Sequence, residues 1–281
     1  MIAYQDVASG AGGIELTRAT TQPSGGGAKR RKARTAYYVY GVVPADVDVA
    51  AEAMGVGKPP GTLGAVPQND IAALISEVDP TEPLGTPEDL MAHQRVLDAA
   101  AHEVPVLPLR FGAVLRSRAA VADEFLAPHH DEFVAALAEL EGLCEYIVRG
   151  RYDQAALLTE ILRENPEAAR LAEKIRGTDE QQTRDLRISL GEVISAAIAA
   201  RRERDTAAAV QTLDRYCERS QVNEPTHEED AVHLAILSPR RNQAEVEQAI
   251  GELASAWKGM VSLRLLGPLA PYDFVAVASG S

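Results

Sequence analysis

The stretch Gly267-Pro268-Leu269-Ala270-Pro271-Tyr272-Asp273-Phe274-Val275 decides how the second half of this chain reads. One glycine, two prolines and two aromatics make a stiff corner that presents Tyr272 and Phe274 and carries no catalytic group. It joins two apolar runs, Met260 to Gly267 and Tyr272 to Ala278, which read as a strand pair. Working back from it, Gln243 to Trp257 has helical character and Ala231 to Ser238 reads as a strand. A long helix is expected from about Glu180 to Arg219, with Leu186, Leu190, Val193 and Ala197 as its apolar stripe. Asp153 caps a helix reaching Glu164, Pro166 starts another that Gly177 ends, and Cys144 to Arg149 is a strand. This alternation of strands and helices predicts an α+β domain of ferredoxin-like type with inserted helices.

The first half has a similar character. Tyr37-Tyr38-Val39-Tyr40-Gly41-Val42-Val43 has the composition of a buried strand, and Pro44 ends it. A glycine/proline loop fills Gly55 to Pro67, and Asp70 to Val78 is a second strand. Thr86-Pro87-Glu88-Asp89 starts a helix on which Leu90, Leu97 and Val104 recur at sevenfold spacing. Val104 to Leu115 reads as an edge strand or one bulged near its start, because Pro105 and Pro108 cannot donate to a ladder. Two helices, near Arg118–Leu126 and Asp131–Glu141, run up to Gly142. The expected organisation is a disordered basic leader over 1–35, an N-terminal mixed α+β domain over 36–142, and the ferredoxin-like domain over 143–281.

Bulk properties narrow the function. The formal charge is −13, although Arg18, Lys29, Arg30, Arg31, Lys32 and Arg34 make the leader basic. So acidic a body repels nucleic acid and anionic membrane, and neither is an expected partner. No run approaches the roughly 18 apolar residues that span a bilayer. The two cysteines, Cys144 and Cys217, form no CxxC pair and read as buried free thiols in a reducing cytosol.

A search for chemistry is mostly negative. Gly55-Val56-Gly57-Lys58-Pro59-Pro60-Gly61 resembles a phosphate loop, but Pro60 stands where a dinucleotide fingerprint needs glycine, and Pro59 where a Walker loop needs Ser or Thr. The histidines make neither HExxH nor a zinc spacing, and no GxSxG elbow occurs. The chain is therefore expected to be no enzyme and to hold no cofactor. Its abundant carboxylates leave a hard cation such as Ca²⁺ open. What remains is apolar and aromatic. Leu109, Arg110 and Phe111 lie on an edge strand, with Phe111 inside and Arg110 either outside or in a domain-interface ion pair. Pro268, Pro271, Tyr272 and Phe274 form the corner. Edge strands accept other strands, and Arg and Tyr anchor interfaces, so these seven residues are the candidate partner-binding surface.

Tyr37–Val43, Pro108-Leu109-Arg110-Phe111-Gly112, Glu145-Tyr146-Ile147-Val148 and the Gly267–Val275 corner together resemble the gas vesicle accessory proteins of the GvpF/GvpL family, over about residues 36–279. Leu269 and Ala270 depart from the family pattern, which has an aromatic and a proline there. The resemblance implies a two-domain protein with a ferredoxin-like C-terminal domain, acting in gas vesicle assembly in the cytoplasm or at the vesicle. Its implied partners are the major gas vesicle shell protein and other accessory proteins. The alternative is a small-ligand or cation-binding regulatory module.

Overall fold

In the computed structural model the described residues are 16–18 (backbone only), 35–49, 53–179 and 181–275. They divide into two compact units, one of residues up to Glu145 joined by the segment from Gly267 onward, the other running from Tyr146 to Leu266. The expected leader lies outside the described residues apart from Thr35 and a three-residue strand, β1 (Leu16–Arg18).

The first unit is built on β2 (Ala36–Pro44), whose β-branched and aromatic residues are almost all buried. The short β3 (Val47–Val49) follows and pairs antiparallel with β1. Two further strands, β4 (Leu63–Gln68) and β5 (Ile71–Val78), pair antiparallel, and β5 aligns with β2 from Ala36 opposite Val78 to Pro44 opposite Ile71. Helix α1 (Pro87–Glu103) starts at a capping box in which the Thr86 side chain accepts from the Asp89 N–H, while the Asp89 carboxylate accepts from the Thr86 N–H. Its buried face is Ala92, His93, Val96, Leu97, Ala100 and Ala101. The sevenfold reading fails at Leu90, which is exposed, while Val104 is buried in the same core as Leu97 although it is the extended cap just past the helix. Small residues set the face instead, because the helix sits so close to the sheet that a Cβ on Gly41 would lie 2.9 Å from Leu97 Cδ2.

Beyond α1, the expected edge strand is broken in two, β6 (Leu107–Pro108) and β7 (Val114–Leu115), both antiparallel to β2. The sheet runs β4-β5-β2-β6, with β7 also on β2. A short helix, α2 (Arg118–Ala120), continues through a π turn (Val121–Leu126) and a 3₁₀ turn (Ala127–His129) into α3 (His130–Glu139). Gly142 then takes a left-handed φ of 72°, as a helix stop requires.

The second unit is a four-stranded sheet with helices between its strands. In order come β8 (Leu143–Tyr152), α4 (Gln154–Glu164), α5 (Pro166–Ile175), α6 (Arg184–Leu213), β9 (Arg219–Val222), β10 (Asp230–Pro239), α7 (Gln243–Ala256) and β11 (Val261–Leu269). The strands lie in the order β11-β8-β10-β9. Asp153 and Asn165 cap α4 and α5 by accepting from the first-turn amides.

Three expectations need correction. Helix α6 runs from Arg184 to Leu213, short of the expected Arg219, and ends in a 3₁₀ turn (Asp214–Tyr216), and β9, which was not among the expected strands, begins at Arg219. The closing strand pair is a single strand, β11, which runs on through Gly267, at a φ of 134° that no side-chain-bearing residue adopts readily, to Leu269, after which the chain coils locally. Tyr272 N–H donates to Ala270 O at 2.9 Å and Phe274 N–H to Pro271 O at 3.2 Å; residues 276–278 of the expected strand lie outside the described residues. Of the two free thiols, Cys144 is buried and Cys217 only half-buried.

Candidate interaction site

The bulge between β6 and β7 is held from both ends. Leu109 N–H donates to Tyr40 O and Val39 N–H to Ala113 O, each at 2.8 Å, so residues 110–112 leave the ladder. Gly112 closes the bulge with a φ of 105°. Alternation then sends Leu109 and Phe111 inward and Arg110 outward. Leu109 is buried and Phe111 half-buried, while Arg110 is exposed, and its guanidinium has no hydrogen-bond or ion-pair partner among the described residues.

Beneath the bulge lies a packed aromatic cluster. The Tyr38 and Tyr40 rings are 4.9 Å apart, Phe111 lies 5.5 Å from Tyr38, and His93 of α1 stacks on Tyr40 at 5.6 Å. Burial holds His93 well below its ordinary value, at about 4, despite its bond to Leu109 O, so the imidazole is neutral at pH 7. The network then selects one tautomer. Nε2 lies 3.2 Å from Leu109 O, which can only accept, so Nε2 carries the proton and Nδ1 accepts from the Tyr38 hydroxyl at 2.9 Å. Tyr38 in turn accepts from Gly112 N–H at 3.1 Å, tying the closing glycine of the bulge to the helix.

The segment after β11 packs against this cluster. Tyr272 Oη lies 3.0 Å from His93 Nε2, Ala270 N–H donates to Asp98 Oδ1 at 3.1 Å, and Asp273 N–H donates to Glu145 Oε2 at 3.0 Å. Ala270 and Pro271 are buried, and Pro268, Tyr272 and Phe274 are half-buried. The alanine that departs from the family's proline thus supplies an N–H that a proline lacks. Burial raises the Asp98 carboxyl to about 6 against its bonds to Ala270 and Gln94. It raises Glu145 to about 8, opposed by the Asp273 N–H and reinforced by the nearby charges of Asp273 and Asp98.

A second polar centre supports the same unit. Asp89 accepts from Gly57 N–H at 2.9 Å, Gly85 N–H at 3.1 Å, Thr86 N–H at 3.0 Å and the Thr86 hydroxyl at 2.8 Å. Burial alone would raise its carboxyl, but these bonds outweigh that and hold it at about 2. The loop that imitates a phosphate cradle therefore turns one of its amides toward this carboxylate. Its glycines answer to packing, since a Cβ on Gly55 would lie 1.9 Å from Tyr40 Oη and one on Gly61 2.0 Å from Glu77 O.

Of the seven candidate residues, Leu109, Phe111 and Tyr272 meet around His93, and the set faces different ways. Arg110 projects to solvent, Leu109 and Pro271 are core, and Tyr272 is committed to His93. His93, Asp98 and Glu145 were not singled out from sequence, and only His93 carried a signal, its place between Ala92 and Val96 on the small-residue face of α1. Among the described residues no group of three or more His, Cys, Asp or Glu is arranged to hold a metal ion, and no helix is long and apolar enough to cross a membrane.

Comparison with known proteins follows the same lines. The family description gas vesicle synthesis protein GvpL/GvpF matches residues 36–276. Gas vesicle protein F of a Streptomyces species is 33% identical over 245 residues, covering 85% of this chain and 98% of that protein. Gas vesicle protein L of the same genus is 28% identical, with 86% and 93% covered. Among solved structures, gas vesicle protein GvpF from an Anabaena species superimposes with a TM-score of 0.72 at 21% identity, covering 88% of this chain and 99% of that one. The Microcystis aeruginosa GvpF structure gives a TM-score of 0.70 at 20% identity, with 85% and 98% covered.

Proposed function

The chain belongs to the GvpL/GvpF family of gas vesicle synthesis proteins, and from that membership we propose that it is a non-catalytic assembly factor that binds the major gas vesicle shell protein in the cytoplasm or at the growing vesicle. The observation that carries this reading is the bulge at Arg110. A free guanidinium stands at a broken sheet edge, with Leu109, Phe111 and Tyr272 packed beneath it as a rigid base. A charged side chain held out on an ordered support suits protein recognition, because little flexibility is lost on binding. A subunit that builds an apolar gas-facing wall exposes surface that aggregates when free, and an acidic partner engaging it transiently keeps it in solution.

The C-terminal unit supports the companion reading of fold. Its succession of β8, helices, β9, β10, α7 and β11, with strands ordered β11-β8-β10-β9, suits a ferredoxin-like domain with helices inserted after its first strand.

Co-purification of the full chain with the shell protein, with and without EDTA, tests the proposal. Capture in both buffers is expected. Absence of capture in either buffer would contradict direct shell binding, and loss only with EDTA would replace the Arg110 contact with a cation-dependent one.

A further inference from the structure

Two strands of the C-terminal unit set arginines side by side on the face of their sheet turned away from α6. Along β8, Val148, Gly150 and Tyr152 are buried, and Tyr152 donates its hydroxyl to Asp205 of α6 at 2.8 Å, so this parity faces the helix. Arg149 and Arg151 therefore take the other face, the first half-buried and the second exposed. β11, the outermost strand beside β8, repeats the pattern, with Val261 and Leu263 buried and Ser262 and Arg264 exposed.

The register brings the two sets together. Asp153 N–H donates to Met260 O at 2.8 Å, the Ser262 hydroxyl donates to Arg151 O at 3.3 Å, and a Cβ on Gly150 would lie 3.0 Å from Leu263 Cδ2. Partners that advance along β11 retreat along β8, so the two strands are antiparallel. Arg264 then falls opposite Arg149, with Arg151 two residues along on the same face. One pair further on, Ile147 is half-buried and Leu266 is 46% exposed, which gives the arginines an apolar margin.

Like charges directly opposite on a sheet are unfavourable, and the unit does little to neutralise these. Arg149 donates to the Thr226 hydroxyl at 3.1 Å, and Arg264 has no hydrogen-bond or ion-pair partner among the described residues. One carboxylate serves the set: Asp230 lies 4.0 Å from Arg151 and feels the charge of Arg149. Its other oxygen already accepts from the Thr226 N–H and hydroxyl and from the His227 N–H. A surplus of positive charge thus stands on one outward face of a chain whose formal charge is −13.

Charge complementarity names the occupant. Guanidinium groups hold carboxylates through paired hydrogen bonds, so a neighbouring Arg149 and Arg264 suit two carboxylates of a partner. A nucleic acid fits less well, because its affinity grows with the number of phosphates neutralised and the rest of this chain repels it. A second copy related by a two-fold axis on this face would set arginine against arginine.

We propose that the outward face of β8 and β11 is a docking surface for an acidic segment of another protein, one carrying two or more carboxylates beside an apolar side chain. The inference rests on residues of the C-terminal unit alone and neither needs nor decides the Arg110 reading above.

The test is binding of a blocked, helix-forming peptide of glutamates and leucines to the full chain, beside the same peptide with lysine for glutamate and a short uridine oligonucleotide. The glutamate peptide should saturate, weaken with salt, and bind more tightly than either of the others. Arg264→Glu should weaken it about tenfold or more. The same change should leave the melting temperature equal or higher, because it sets an opposite charge across from Arg149. Arg264→Lys keeps the charge and should retain most of the binding. Equal binding of the two peptides, preference for the oligonucleotide, no saturation by the glutamate peptide, or unchanged affinity in Arg264→Glu would overturn the proposal. So would a lower melting temperature of Arg264→Glu, which would mean that Arg264 is already paired in the free protein. A dimer that Arg264→Glu dissociates would overturn it as well, by giving the face to a second copy.

Discussion

The centre of the N-terminal unit and the edge of the C-terminal unit use their polar groups in opposite ways. At the centre, Tyr38, His93, Asp98 and Glu145 are buried or half-buried and each is bonded to a neighbour, several through the returning segment. At the β9 edge, the Ser220 and Val222 backbone groups turn outward and an exposed valine sits beside them. Buried polar groups are costly when unpaired, so the first arrangement is rigid and intolerant of change. The second bears little of the chain's stability. Arg110 joins the two styles, being free itself but standing on the rigid centre.

Tyr272→Ala is expected to break the contrast most. It removes a half-buried ring from the cluster and one partner of His93, at a cost of about 3 kcal/mol in stability. Tyr272→Phe keeps the ring and should cost only about 1 kcal/mol, the worth of one hydrogen bond. Denaturant unfolding of both variants checks this, and equal, negligible losses would show that the returning segment is not part of the core.

Glu145→Gln sharpens the comparison through pH. The folded carboxyl is raised from 4.5 to about 8, so the native state holds a proton that the unfolded chain releases. Wild-type stability from this group is therefore full below pH 4.5 and declines as pH rises toward 8. The variant has no proton to lose, so its advantage over wild type should grow through that window and level off above pH 8. His93 slopes the other way, because its lowered value makes stability fall as pH drops from 6.5 toward 4. The difference between the two proteins across a melting series isolates Glu145, and a flat difference would place its carboxyl in water.

The smallest effect belongs to the edge. Val222→Ser should change stability by no more than about 0.5 kcal/mol, since the side chain is mostly in solvent. A larger loss would mean that this edge is covered in solution and that the two regions are built alike.

Legibility in the sequence followed the same division. The Tyr37–Val43 strand and the Thr86 start of α1 could be read because composition and capping act locally. β9 could not, since Arg-Ser-Gln-Val on an exposed edge shows no apolar alternation to separate it from the end of α6. The corner's aromatics were readable, but not its destination. Tyr272 meets His93 across 179 residues of sequence, and nothing local at Asp98 or Glu145 announces a backbone amide arriving from elsewhere. Arg110 was legible as an outward residue from strand alternation alone, whereas the bulge that frees it depends on Gly112 and on bonds to β2.

The most direct test of the account is the affinity of the major shell protein for the wild-type chain against Arg110→Ala, with melting curves measured alongside. The account predicts unchanged melting, because the side chain is exposed and has no hydrogen-bond or ion-pair partner among the described residues, and binding weakened about tenfold or more. Unchanged affinity with unchanged melting would contradict it and remove the bulge as the binding surface.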